Sequence, residues 1–215
     1  MAKTVPGTAP SAGSLDAKMM SWGAGEIMCR VHDAVHAVDS FNLSPLGNAR
    51  FSPIRDSVGA VIPTLYAATS PQGALMETIF HDVPYKPGFK RVSVSRLAGR
   101  VSSTLVFRSN FQLIDLGKIG LRRLGVHPHE LIDTTKAQYP ETRKWAELLY
   151  AEYPAAQGLL WPSRQDDRAR AVVLFGTRVS PSELHPANVS IPLIENGVVH
   201  ELVKALATDL KVLIE

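Results

Sequence analysis

The chain has 215 residues, 45% hydrophobic and 20% charged, with a net charge of +3 and one cysteine, Cys29. That composition suits one globular unit with its own core, and a lone cysteine, read as a small buried hydrophobe, excludes an internal disulfide framework and a cysteine-rich zinc module. The basic residues stand singly instead of in a run or stripe, so direct nucleic-acid binding is not implied, while a small anion held by two or three arginines fits the same balance.

Residues 1–21 are rich in Ala, Ser, Gly and Pro and contain no basic cluster followed by an apolar stretch. They are expected to be a flexible N-terminal arm ahead of a single domain over 22–215. Strands are predicted at 26–31, 49–54 and 64–69, where β-branched or alternating apolar residues are bounded by Gly or Pro. Ser70 then caps a helix that begins at Pro71 and has its body over 73–81. Further strands are expected at 90–95, 101–107 and 111–115, and His127-Pro128-His129 reads as loop.

A second helix spans about 141–153, with Trp145, Leu148 and Leu149 at helical spacing and Pro154 at its stop. Strands at 158–161 and 171–175 follow, and both are far shorter than the roughly 20 apolar residues that cross a bilayer. No membrane association is expected, and the location read from this is cytoplasmic. A C-terminal amphipathic helix is predicted at about 198–214, with Val199, Leu202, Val203, Leu206, Leu210 and Leu213 forming one stripe. The stripe needs cover, from the body of the domain, a partner protein or a second copy of the chain.

Strands and helices interleave irregularly, so the predicted class is α+β, with a mixed or antiparallel sheet flanked by helices. Gly23-Ala24-Gly25 lacks the third glycine of a dinucleotide fingerprint, so any dinucleotide must be held by a different architecture.

Three islands place polar groups beside aromatic or small residues at element boundaries. They are Gly47-Asn48-Ala49-Arg50-Phe51-Ser52-Pro53; Leu65-Tyr66-Ala67-Ala68-Thr69-Ser70 with Ala74-Leu75-Met76-Glu77; and Gly158-Leu159-Leu160-Trp161-Pro162-Ser163-Arg164. Their order and spacing resemble the RES domain, whose Arg, Glu and Ser correspond here to Arg50, Glu77 and Ser163. The resemblance covers about 26–176 and includes Arg30 in the first strand. The first island departs from the usual Gly-Arg pair, and Trp161-Pro162 precedes the serine in the third.

The resemblance implies a compact fold similar to ADP-ribosyltransferases, NAD⁺ as substrate with no metal, and a toxin restrained by a cognate Xre-type, helix-turn-helix antitoxin. Cleavage of the nicotinamide–ribose bond develops positive charge at the anomeric carbon, which a carboxylate stabilises; Glu77 is the candidate. The residues alone place Glu77 about 160° from a buried face centred on Leu75 and Ile79, at roughly 100° per residue, the position of a solvated surface glutamate. Arg50 and then Arg30 are the candidates for the diphosphate, because the planar guanidinium grips paired phosphate oxygens.

Tyr66 is placed to stack on a ring or reach a phosphate, and Ser163 to bond the nicotinamide ribose or Glu77. Arg164 ranks lower, because neighbours on an extended segment face opposite sides. The residues leave the acceptor of the ADP-ribosyl group open between water, inorganic phosphate and a protein side chain.

Two other functions compete. His32 and His36, four apart with Asp33 between them and Asp39 nearby, would form a zinc-hydrolase pair if the segment were helical. A non-catalytic module binding a partner through the C-terminal stripe is the other. Release of nicotinamide from NAD⁺ separates both from the cleaving enzyme.

Overall fold

The structure is a computed structural model and describes residues 15–195 and 197–215. The chain order is β1 (Met19–Trp22), β2 (Ile27–Asp33), β3 (Ile54–Arg55), β4 (Val61–Ile62), β5 (Thr64–Ala68), α1 (Pro71–Met76), β6 (Lys90–Val92), β7 (Arg100–Phe107) and β8 (Phe111–Asp115). Then come α2 (Lys118–Leu124), α3 (Pro128–Leu131), α4 (Tyr139–Glu152), β9 (Gly158–Pro162), β10 (Arg170–Phe175), β11 (Leu184–Pro186), β12 (Ile191–Pro192), α5 (Val198–Asp209) and β13 (Val212–Ile214).

The main sheet runs β1-β8-β9-β10-β5-β2-β7-β11, with β12 also on β7, and only its β8–β9 pair is parallel. This is the expected α+β class with a mixed sheet. Alternation along β10 explains why it lies at the centre. Ala171, Val173 and Phe175 join the core under α2 and α4, whereas Val172 and Leu174 face a second core with Met28, Leu105 and Phe111. A third core, built on Leu75, Phe80 and Leu193, receives Val199, Val203 and Leu206 of α5.

Several local expectations change. Residues 1–14 of the expected arm lie outside the described residues, but 19–22 are edge strand β1, in register with β8 from Met19↔Ile114 to Trp22↔Phe111. Of the expected 49–54 strand, 49–52 is a tight turn in which Ala49 and Ser52 pair with each other, and only Ile54, the first residue of β3, is strand. The α2 helix was missed; Gly125 stops it at φ 70°, a left-handed position that favours glycine. His127-Pro128-His129 is not loop but opens α3, with Pro128 in its first turn and Glu130 accepting the His127 N–H. The 90–95 strand gives way at Val94 to a 3₁₀ turn.

The C-terminal helix ends at Asp209, and 212–214 form β13, parallel to β6. The buried positions of its stripe face the chain's own core, so no partner is needed to cover them. No helix among the described residues is long and apolar enough to cross a membrane.

Candidate functional site

The first island is held from both sides. The Thr142 hydroxyl donates to the Arg50 carbonyl, and the Phe51 N–H donates to the Tyr66 hydroxyl at 3.0 Å. With its backbone clamped, Arg50 projects a buried guanidinium 5.9 Å from the ring centres of both Tyr139 and Trp161. Its Nε and Nη2 have no hydrogen-bond partner, and neither has the Trp161 indole N–H. Arg178 offers a contrast, since its guanidinium donates to the carbonyls of Tyr150, Tyr153 and Ala156 and stacks on Tyr150. Unpaired buried donors are costly, so Arg50 fits a ligand where Arg178 fits only its own fold.

The second island delivers the acid. Ser70 accepts the Gly73 N–H and starts α1, as expected, but the helix stops at Met76 and Glu77 becomes its C-cap. That early stop overturns the solvated-surface expectation for Glu77: the side chain is only 13% exposed. Gly73 matters here because a Cβ on it would lie 2.6 Å from the Ala169 Cβ. Only glycine lets α1 approach the loop after β9 so closely, and that loop carries Ser163.

The Ser163 hydroxyl donates to Glu77 Oε1 at 2.6 Å, and the Arg164 backbone N–H donates to the same oxygen at 3.2 Å. Oε2 faces Arg50 Nη1 at 4.0 Å, beyond hydrogen-bond reach. Ser163 also accepts the N–H groups of Gln165 and Asp166 at 3.1 Å. Its one hydrogen and both lone pairs are therefore engaged, and of the two partners expected for Ser163 the hydroxyl bonds Glu77. Ser163→Ala is expected to lower kcat by roughly tenfold, the equivalent of ~1.4 kcal/mol, with KM within about twofold. Steady-state kinetics on the purified variant checks this.

Glu77 and Arg50 open onto a cleft of about 490 Å³ whose walls also carry Arg30, Arg96, Arg100, Lys136 and Asp82, while Ser163 and Arg164 stand behind Glu77 and do not line it. The positive balance suits a diphosphate. Arg30 lines it from β2 while donating to the carbonyls of Val38 and Ser40; burial pulls its pKa down to about 10. Tyr66 also lines the cleft, and burial pushes its phenol up, so its hydroxyl remains a donor.

Arg164 does not reach in as expected. Its guanidinium donates to the Thr134 carbonyl at 2.6 Å, because its side chain leaves the extended segment opposite Ser163. Its contribution is the backbone N–H on Glu77.

Sequence reasoning missed His81 and Tyr139. The Tyr139 hydroxyl lies 3.1 Å from His81 Nε2, His81 Nδ1 lies 3.1 Å from Asp82 Oδ1, and Asp82 Oδ2 pairs with Lys136 at 2.8 Å. His81 appeared only as the last residue of a predicted helix and Tyr139 as the residue before a proline, so nothing local joined them. A second cavity, about 530 Å³, is floored by Met76, Phe80 and Val83 and holds none of the candidate residues.

The zinc pair does not form. His32 lies in β2, with Nε2 2.8 Å from the Ser103 hydroxyl and Nδ1 3.0 Å from the Asp33 carbonyl, and His36 follows in a turn. Four-residue spacing aligns side chains on a helix, not across a strand end. Among the described residues no group of three or more His, Cys, Asp or Glu could hold a metal ion.

Comparison with known proteins bears on the family and the fold. A family model described as the RES domain matches residues 27–193. The fold is similar to that of a chain in the crystal structure of the M. tuberculosis MbcT–MbcA toxin–antitoxin complex. The TM-score is 0.60 at 15% identity, over 89% of this chain and 91% of that one. No curated protein matches the chain in sequence.

Proposed function

This chain belongs to the RES domain family, and we propose that its cleft binds NAD⁺ and breaks the nicotinamide–ribose bond. One observation carries the reading: an anchored carboxylate, Glu77, faces a buried guanidinium with two unpaired donor nitrogens in a cleft of dinucleotide-compatible charge. An anion entering the cleft supplies the partners that Arg50 lacks, and the uncommitted oxygen of Glu77 has room to accept a ribose hydroxyl.

Pyridinium nitrogen already carries the positive charge, so nicotinamide departs neutral with the bonding pair and needs no acid. The barrier lies in the sugar, where charge develops at the anomeric carbon. A preoriented carboxylate stabilises that charge without reorganising during the reaction. Ser163 and Arg164 hold Glu77 in place, while Arg30 and Arg50 serve the diphosphate and Tyr66 offers a ring and a hydroxyl.

The reading extends to biology as a toxin that depletes NAD⁺, or ADP-ribosylates a protein target, in the cytoplasm until an Xre-type antitoxin binds it. Family membership and likeness to a chain of a toxin–antitoxin complex support that extension. Water, inorganic phosphate and a protein side chain all share the first bond-breaking step.

The test is a product analysis of the full chain incubated with NAD⁺, with and without phosphate and with cell extract, read by mass spectrometry. Nicotinamide should appear, accompanied by ADP-ribose, its phosphate or a labelled protein. Intact NAD⁺ under every condition overturns the proposal.

A further inference from the structure

We propose that Tyr139, His81 and Asp82 form a proton relay that activates the acceptor of the ADP-ribosyl group, separating the base that serves the acceptor from the carboxylate that serves the sugar. The inference rests on the NAD⁺-cleaving reading and adds the acceptor class: a neutral hydroxyl compound, water or an alcohol side chain.

All three residues line the cleft that contains Glu77 and Arg50. The chemistry needs such a device, because neutral nicotinamide takes no proton with it, whereas a hydroxyl acceptor must lose one as its oxygen bonds to the anomeric carbon. Glu77 Oε1 already accepts two donors, and its other oxygen looks toward Arg50.

The hydrogen-bond directions follow from the far end of the chain of contacts. Burial would raise the Asp82 carboxyl, but hydrogen bonds from Lys136 and His81 outweigh it and hold the group below its ordinary value. Arg96 lies 3.4 Å from the same carboxylate. An ionised Asp82 only accepts, so the hydrogen on His81 sits at Nδ1 and the lone pair at Nε2 faces the Tyr139 hydroxyl. Burial pushes the Tyr139 phenol up, so it carries its proton until the acceptor arrives.

In the step, the acceptor oxygen bonds to the anomeric carbon and the C–N bond gives its electron pair to nicotinamide. The acceptor's proton passes to the Tyr139 oxygen as the Tyr139 proton passes to His81 Nε2. The imidazolium that results is paired with Asp82, and partly exposed His81 returns the proton to solvent.

Tyr139→Phe keeps the ring beside Arg50 and removes only the hydroxyl; His81→Phe removes the base. The full chain and both variants are incubated with NAD⁺ in water, with and without azide, a nucleophile that has no proton to lose. Both variants should lose about 10²-fold in turnover with water, in line with a general base, keep KM for NAD⁺, and recover turnover with azide, forming ADP-ribosyl azide.

Wild-type turnover with water in either variant overturns the relay, and so does a loss that azide does not relieve. A wild-type chain that leaves NAD⁺ intact instead overturns the cleavage reading on which the relay stands.

Discussion

Replacing Glu77 by Gln is expected to slow NAD⁺ consumption by about 10²–10³-fold, the range for removing one preorganised electrostatic partner of a transition state. The amide is isosteric and can still accept from Ser163, so α1 and the loop after β9 keep their positions. What disappears is the negative charge beside a carbon becoming cationic. Glu77 is a C-cap whose own N–H donates to the Gly73 carbonyl at 2.9 Å, and the substitution leaves that backbone bond intact. Nicotinamide release measured by chromatography, alongside circular dichroism for the fold, checks the prediction. A variant with the wild-type rate removes Glu77 from its assigned role. Expression of the active chain should inhibit growth and the variant should relieve it.

Arg50 gives the second large effect, with an unusual signature. Arg50→Met should lose about 10²-fold in kcat/KM for NAD⁺, the worth of ~3 kcal/mol in charge-assisted hydrogen bonds. Its melting temperature should stay level or rise. Met roughly preserves the volume between Tyr139 and Trp161 and removes two buried donor nitrogens that have no partner in the ligand-free protein. Glu77 keeps its bonds to Ser163 and Arg164, so no carboxylate is left without support. Arg50→Lys should also lose turnover, because a point charge cannot supply the paired fork. A melting temperature that falls while turnover persists would mark Arg50 as structural, like Arg178.

The third island shows how adjacency in sequence differs from adjacency in space. Ser163 and Arg164 are neighbours on an extended segment, and the pleat sends them apart: one hydroxyl to Glu77, one guanidinium to Thr134. That divergence was legible beforehand. The role of the Arg164 N–H was not, since a backbone donor has no identity in a one-letter code.

The order of residues by itself determined what neighbours within a few positions control. Ser70 and Pro71 started α1, the unbroken apolar run of 171–175 made a strand buried on both faces, and Pro154 closed α4. The three islands supplied Arg50, Glu77 and Ser163, the residues on which the proposed reaction rests. Tertiary structure alone decided that Glu77 is sheltered, because α1 stops one residue before it and Gly73 lets the Ser163 loop close in, across 86 positions of chain. It likewise joined His81 to Tyr139 across 58 positions and turned the α5 stripe inward. The physical reason is range: capping and periodicity are local terms that a short window contains. A hydrogen bond between distant segments forms only after the whole core has set their backbones, and neither segment carries a mark of the other.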